Sequence, residues 1–533
     1  MKTKKIYGFA APCFVALFSC LLTAQVTVPT YQYGNSHSGT NTNETVLTPS
    51  NVNVSQFGRK MVFPVQGYVY AQPLYVPNLT IGGTSHNVLF VATEHDQLYA
   101  FDVNSGQQLW HTNFLATVGL QLIISTVSSS DVNCGDLVPE IGITATPVID
   151  TTTNTLYVSV ETKEYNPVNH ALNYRHKLHV LDITTGLDKV PAHNINAVVR
   201  GIGTGSLGGV IAFNALLAHA RSSLLLADGQ VIVSFASHCD LGNYHGWLMS
   251  FDQTSLNPTG VFIDTPNGYE GGFWGGGSGP AADAAGSIYA ATGNGWFDVN
   301  SGGIDYGDSV LRLTWSGSGL SVADYFTPWD QQSLDDTDKD VNSGGVVLLP
   351  DQSGPYPHLL IQVGKEGTID LINRDNMGHF HSGNDDQIVQ TLPSAIGGIW
   401  GGPAFWNNNA YFGGVHDHLK AFAFNPQTEL LSTSPTSESP ETFAYPGPTP
   451  AVSSSGTSNG IVWVVETDNY NNGGNAILRA YLASNLGTEL YNSQQNPGRD
   501  QAGLPAKFAV PTVADGHVFV AAQQQVDMYG LLN

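Results

Sequence analysis

One short pattern recurs along the whole chain and limits what the chain can fold into. Its fullest copy is Gln97-Leu-Tyr-Ala-Phe-Asp-Val-Asn-Ser-Gly-Gln-Gln-Leu-Trp110. Leu98, Ala100 and Asp102 alternate with Tyr99 and Phe101, which is the period of a strand with two distinct faces. Asn104-Ser105-Gly106 supplies a turn, and Leu109-Trp110 opens another strand. Two earlier strands, Ala71–Val76 and Val88–Ala92, complete a four-stranded unit. The strand core returns at Lys177–Asp182, Trp247–Asp252, Ser309–Thr314, Thr368–Asn373, His418–Ala423, Ile477–Leu482 and Gln525–Gly530. A proline-marked first strand returns as well, at Thr144–Val148, Gly279–Ala281, Gly402–Ala404, Pro448–Ala451 and Val510–Val513.

A four-stranded unit repeated in tandem predicts an all-β ring. The expectation is an eight-bladed β-propeller of four-stranded antiparallel blades, or seven blades if one weak copy is misread. The last copy ends without an outer strand, and Lys60–Pro64 can supply it. A blade shared by both ends of the chain removes exposed sheet edges. Composition agrees: 59 Gly, 28 Pro and only 12% charged residues disfavour long helices.

The formal net charge of -24 repels phosphate backbones and excludes nucleic acid as a partner. Such a surface is solvated, and it can also hold hard cations. Lys2, Lys4 and Lys5 followed by the apolar run Ile6–Leu22 read as an export signal, cleaved after Ala24. Residues 1–24 are then the signal peptide and 25–533 a single propeller domain in the periplasm or outside the cell. Leu17-Phe-Ser-Cys20 also resembles a lipoprotein box, which offers a lipid anchor at Cys20. No later segment is long and apolar enough to span a bilayer. Outside the signal only Cys134 and Cys239 remain; they can form one disulfide in an oxidising compartment or stay as two buried thiols.

The motif Ala100-x-Asp102-x-x-x-Gly106-x-x-x-Trp110 resembles the tryptophan-docking repeat of quinoprotein dehydrogenases. Tyr31-Gln-Tyr-Gly34 and Asn51-Val-Asn-Val54 are similar to the mature start of those enzymes. The resemblance implies pyrroloquinoline quinone, a calcium ion acting as Lewis acid, and a carboxylate base. It nominates Glu161 and Asn294, in Thr292-Gly-Asn-Gly-Trp296, as metal ligands, with Glu164 an equally available carboxylate. It nominates Lys365, in Gly364-Lys-Glu-Gly367, to touch the quinone, and Trp274 as a flat platform beneath it. The family's catalytic Asp falls on Thr314, which is no base at neutral pH, so the catalytic residue is unassigned; Asp308 and the cluster Asp335, Asp336, Asp338 and Asp340 are substitutes. The adjacent-cysteine disulfide of the alcohol dehydrogenases is absent.

Other constellations point elsewhere. Ser237-His-Cys-Asp240 with Tyr244-His245 offers zinc or copper ligands, or a disulfide half among ordinary loop histidines. His379/His381 and His416/His418 have strand-face spacing. Gly271-Gly-Phe-Trp-Gly-Gly-Gly277 and Gly397-Gly-Ile-Trp-Gly-Gly402 resemble each other, and each should reach the rim of a central channel. Two functional expectations follow. One is a quinone- and calcium-dependent oxidoreductase of alcohols or sugars. The other is a non-catalytic propeller that binds a small molecule, a glycan or a protein, or serves as an envelope lipoprotein scaffold. Long insertions at 115–139 and 162–176 favour a shaped binding surface over a bare scaffold.

Overall fold

The computed structural model describes residue 1 and residues 25–532 except 120, 317 and 318. The export signal and Cys20 therefore lie outside the described residues. From residue 57 onward the chain folds into eight radial blades, not seven. Blade 1 runs Leu74–Ile81, Thr84–Thr93, Gln97–Asp102 and Gln108–Asn113, each strand antiparallel to the next. The recurrent pattern marks the third strand of every blade. Gln97–Asp102, Trp247–Asp252 and Ile477–Leu482 have the bounds that the sequence predicts.

The alternation in that strand has a concrete meaning. Leu98 and Ala100 pack into one cluster with Ile149, Leu156, Val158 and Leu181 of blade 2. Tyr99 and Phe101 pack into another with Phe63 and Phe519 of blade 8. Each face thus meets a different neighbouring blade, and the strand is buried throughout. Trp110 at the outer edge reaches blade 2, where its indole N–H donates to Ile183 O at 2.8 Å.

The eighth blade is built from both ends of the chain. Within the long strand His517–Leu531, His517–Phe519 pairs with Thr512–Ala514, and Gln525–Leu531 pairs with Phe57–Pro64. Gln524, at φ 60°, divides the two stretches.

First strands of consecutive blades touch one another, as Val148–Asp150 with Leu225–Ala227 and Ala451–Ser455 with Thr512–Ala514, and so line the axis. The segment 28–41 threads past all eight of them. Val28 exchanges two backbone hydrogen bonds with Tyr75. Pro29 O accepts from Ile149, Asn35 O from Ala282, Ser36 O from Leu348, Ser38 O from Phe405 and Gly39 O from Val452. The Asn35 and Asn41 amides donate to Leu226 O and Val513 O. Thr40–Asn41 also adds a parallel strand to Ala451–Ser455. The first strands would otherwise leave unpaired backbone groups along the channel, and this segment satisfies them.

Candidate functional site: an axial cavity

In an antiparallel blade the end of the second strand and the start of the first lie on the same side. The turns after second strands therefore gather at one face of the ring with the connections that lead into first strands. A cavity of about 120 Å³ opens there. The connections contribute Cys134, Asp136, His219, Arg221, Trp274, Asp340, Trp400, Tyr445 and Phe508; the turns contribute His238, Cys239, Asp240 and Lys365.

Several nominated residues meet at this cavity and others do not. Trp274 and Lys365 both line it, and so does Trp400 from the second glycine-rich segment. Trp274 stands against Gly293, where an added Cβ would come within 2.9 Å of the indole, and its own Nε1 is buried without a partner. Cys134 and Cys239 are joined by a disulfide that ties the 115–139 insertion to blade 3 across the cavity wall.

Lys365 is already engaged. Its Nζ lies 2.6 Å from both Asp338 Oδ1 and Asp340 Oδ2. Burial works against the ammonium, yet Asp340 and Asp338 outweigh it and hold its pKa above the ordinary lysine value. Asn294 belongs to the same knot: its backbone N–H donates to Asp340 at 2.9 Å and its side-chain amide to Asp338 at 3.0 Å. Asp308 backs the knot. Burial first, and then Asp340, push its carboxyl well above the usual carboxylate range.

Thr314 is not part of the site. Ala291, just before Asn294, pairs with Val310, and the partner strand then runs away from the cavity through Leu313, opposite Ile288. Thr314 is four residues beyond Val310, about 13 Å along an extended strand. The carboxyl beside Asn294 is at the start of that strand, where the Asp308 N–H donates to Gly293 O at 2.8 Å.

Glu161 has different neighbours. It is fully buried, with Oε1 3.7 Å from His238 Nε2 and Oε2 3.8 Å from His176 Nε2. The His219 ring stacks on His238 with centroids 4.6 Å apart. Burial first, then His238 and Arg221, hold His219 well below the ordinary histidine range. Glu94 and Asp96 are buried nearby: burial pushes Glu94 up to about 8, and burial together with Glu94 and Glu161 raises Asp96 well above its usual range. Glu164 is instead paired with Lys177 at 2.5 Å.

These donors do not fit calcium. A calcium ion takes six to eight oxygens, whereas both oxygens of Glu161 face imidazoles. Beside Asn294 the Lys365 ammonium already occupies the place of a cation. The cavity is also smaller than the roughly 300–1,000 Å³ that encloses a drug-sized ligand.

The other histidine motifs separate. His245 bonds to Thr265 and to Thr204 O, away from His238. His379 stacks on Tyr325 and His418 bonds to Glu441 O. Arg221 was not legible in the sequence because no motif surrounds it. Its guanidinium is buried at the cavity wall, 4.2 Å over the Phe508 ring, with Nη2 unpartnered.

No family model and no curated protein matches the chain. Among solved structures, it is similar to the quinohemoprotein alcohol dehydrogenase of Comamonas testosteroni, with TM-score 0.61, 12% identity and coverage of 95% of this chain and 80% of that one. The quinohemoprotein alcohol dehydrogenase ADHIIG of Pseudomonas putida HK5 gives TM-score 0.58, 11% identity and coverage of 95% and 80%. BamB of Moraxella catarrhalis gives TM-score 0.50, 10% identity and coverage of 89% and 99%. At such identities the likeness is one of fold alone: the chain shares the propeller architecture of these proteins.

Proposed function

We propose that the chain is an exported binding protein whose axial cavity holds a small anionic molecule without the quinone-dependent oxidation of the alcohol dehydrogenases. The observation that carries this reading is Arg221. A buried guanidinium with no carboxylate partner is costly unless an anion joins it. It faces the cavity between Phe508 and the His219 wall, so a small carboxylate or other oxyanion could take the unpartnered Nη2 while Trp274, Trp400 and Tyr445 enclose its apolar part. The Cys134–Cys239 disulfide supports an oxidising compartment. Pyrroloquinoline quinone with calcium is the competing occupant, disfavoured by the donor set and the cavity size.

Calorimetry with acetate, succinate, phosphate and sulfate tests the reading, alongside pyrroloquinoline quinone with and without calcium. A small anion should bind, Arg221→Gln should abolish the binding, and alcohols or sugars should reduce no dye. Dye reduction by the quinone-loaded protein would establish an oxidoreductase instead. If no anion binds, the cavity reading fails and a protein-binding propeller takes its place.

A further inference from the structure

Three atoms on one side of the axial cavity share an uncommon condition. Glu161 Oε1, His238 Nε2 and His219 Nε2 are all buried, and none has a hydrogen-bond partner. Buried polar atoms are almost always satisfied, so three orphans on neighbouring side chains call for a missing partner. All three are atoms of the kind that binds a metal, one carboxylate oxygen and two imidazole nitrogens.

We propose that His219, His238 and Glu161 form a site for one divalent transition-metal ion such as Zn²⁺ or Cu²⁺ on the wall of the axial cavity. Glu161 Oε1 and His238 Nε2 stand 3.7 Å apart. Two ligands at about 2.0–2.1 Å from a tetrahedral ion sit about 3.3 Å apart, so this pair is nearly in place. His219 lies farther out, because the three ligand atoms do not all fall within 4.8 Å of one another. Its ring, already stacked at 4.6 Å on His238, turns inward when the ion binds.

His176 packs behind the carboxylate: its Nε2 donates to Ala218 O at 3.0 Å and lies 3.8 Å from Glu161 Oε2. Glu94 Oε1 and both oxygens of Asp96 are also buried without hydrogen-bond partners. Two imidazoles and one carboxylate suit zinc, copper or iron and not calcium. His219 and His238 line the cavity, so the remaining coordination positions face it. Cys239, next to His238, is held in the disulfide and supplies no thiolate.

The test uses the whole protein, stripped with a chelator and titrated with ZnCl₂, CuSO₄, CoCl₂ or CaCl₂. Bound metal is counted by mass spectrometry. One zinc, copper or cobalt ion per chain is expected, undisturbed by excess calcium. The copper form should show nitrogen hyperfine structure from two imidazoles by electron paramagnetic resonance. His238→Ala and Glu161→Gln should each weaken binding by at least about ten-fold, the loss that even outer partners of a ligand cause. A His379→Ala/His381→Ala double variant should bind as the parent does. Substoichiometric binding by the parent, equal binding of calcium, or a copper spectrum without nitrogen coupling would each overturn the site, whether or not the variants fold. Bound metal is counted directly, so this outcome is read whether or not an anion binds in the cavity.

Discussion

Phe57 stands directly opposite Leu531 in the register of the eighth blade, so the ring is closed by residues from the two ends of the chain. Phe57 is fully buried and meets Trp463 at 5.5 Å and Tyr491 at 4.9 Å between ring centroids, both in blade 7. The closing strand is thus held by the neighbouring blade as well as by its own sheet. Phe57→Ala should cost about 3–5 kcal/mol, read from the midpoint of a denaturant titration.

Trp110 makes the same kind of bridge from the outside. It packs on Phe90 at 5.8 Å and donates its indole N–H across to Ile183 O of blade 2. Trp110→Phe removes the donor and leaves a buried carbonyl short of a partner, a loss of about 1–3 kcal/mol. Trp110→Ala removes the ring too and should cost about 3–5 kcal/mol. Thermal melts of the two variants should therefore separate clearly.

The propeller was legible because each third strand carries its own two-faced pattern and turn. A local signal repeated eight times survives the loss of any one copy. The site was less legible because its residues come from connections between blades, where no periodicity constrains them. Trp274 and Trp400 were readable, since glycines flank each ring and let backbone approach the axis. His238 was visible as a candidate ligand, but its sequence neighbours were the wrong partners. Cys239 is taken by the disulfide, His245 turns to Thr265, and the residues that face His238 are Glu161 and His219 from other segments. Arg221 and His219 had no signal at all, because burial and lack of a partner are three-dimensional properties. Thr314, where the resemblance puts the family's catalytic position, lies far from Asn294 because the strand from Val310 runs away from the cavity, a direction that periodicity alone does not give.

Gln32 links the threading segment to blade 6. Its side-chain amide donates to Gly402 O and Pro403 O, and its backbone N–H donates to Gln72 Oε1 at 2.8 Å. Gln32→Ala should cost about 1–3 kcal/mol by orphaning buried carbonyls. Deleting residues 26–43 should do far more, since every first strand loses a hydrogen-bond partner. The expected outcome is loss of a single cooperative melt, read by calorimetry.

The buried carboxyls should lower stability progressively as pH rises from about 4 to 8 in the metal-free protein. Burial pushes Glu94 up to about 8, and Asp264 and Asp370 up to about 7. Across that window the folded chain still holds protons that the unfolded chain has released, so rising pH favours unfolding. Toward acid the buried histidines act the other way. Burial holds His37 down to about 3, so below about pH 6.5 the unfolded chain binds one extra proton, which offsets part of what the three carboxyls contribute toward acid. The decline in melting temperature should be steepest between about pH 6.5 and 8, where no histidine opposes the carboxyls. Asp370→Asn should flatten the decline toward pH 8, measured at constant ionic strength.

The Cys134–Cys239 bond should matter twice. It closes a stretch of 105 residues, so in chain-entropy terms its loss costs roughly 3–5 kcal/mol. It also fixes the wall of the cavity, because both cysteines and the adjoining Asp136 and Asp240 line it. Reduction with a phosphine should therefore lower the melting temperature, and at temperatures where the ring stays folded it should also weaken anion binding. The Cys134→Ser/Cys239→Ser variant should reproduce both effects without reductant. Metal capture at His219, His238 and Glu161 should weaken as well, since Cys239 is bonded directly to His238 in the chain and its tether sets where that imidazole points. A reduced protein that melts lower yet binds anion and metal as before would assign the bond to the stability of the ring alone.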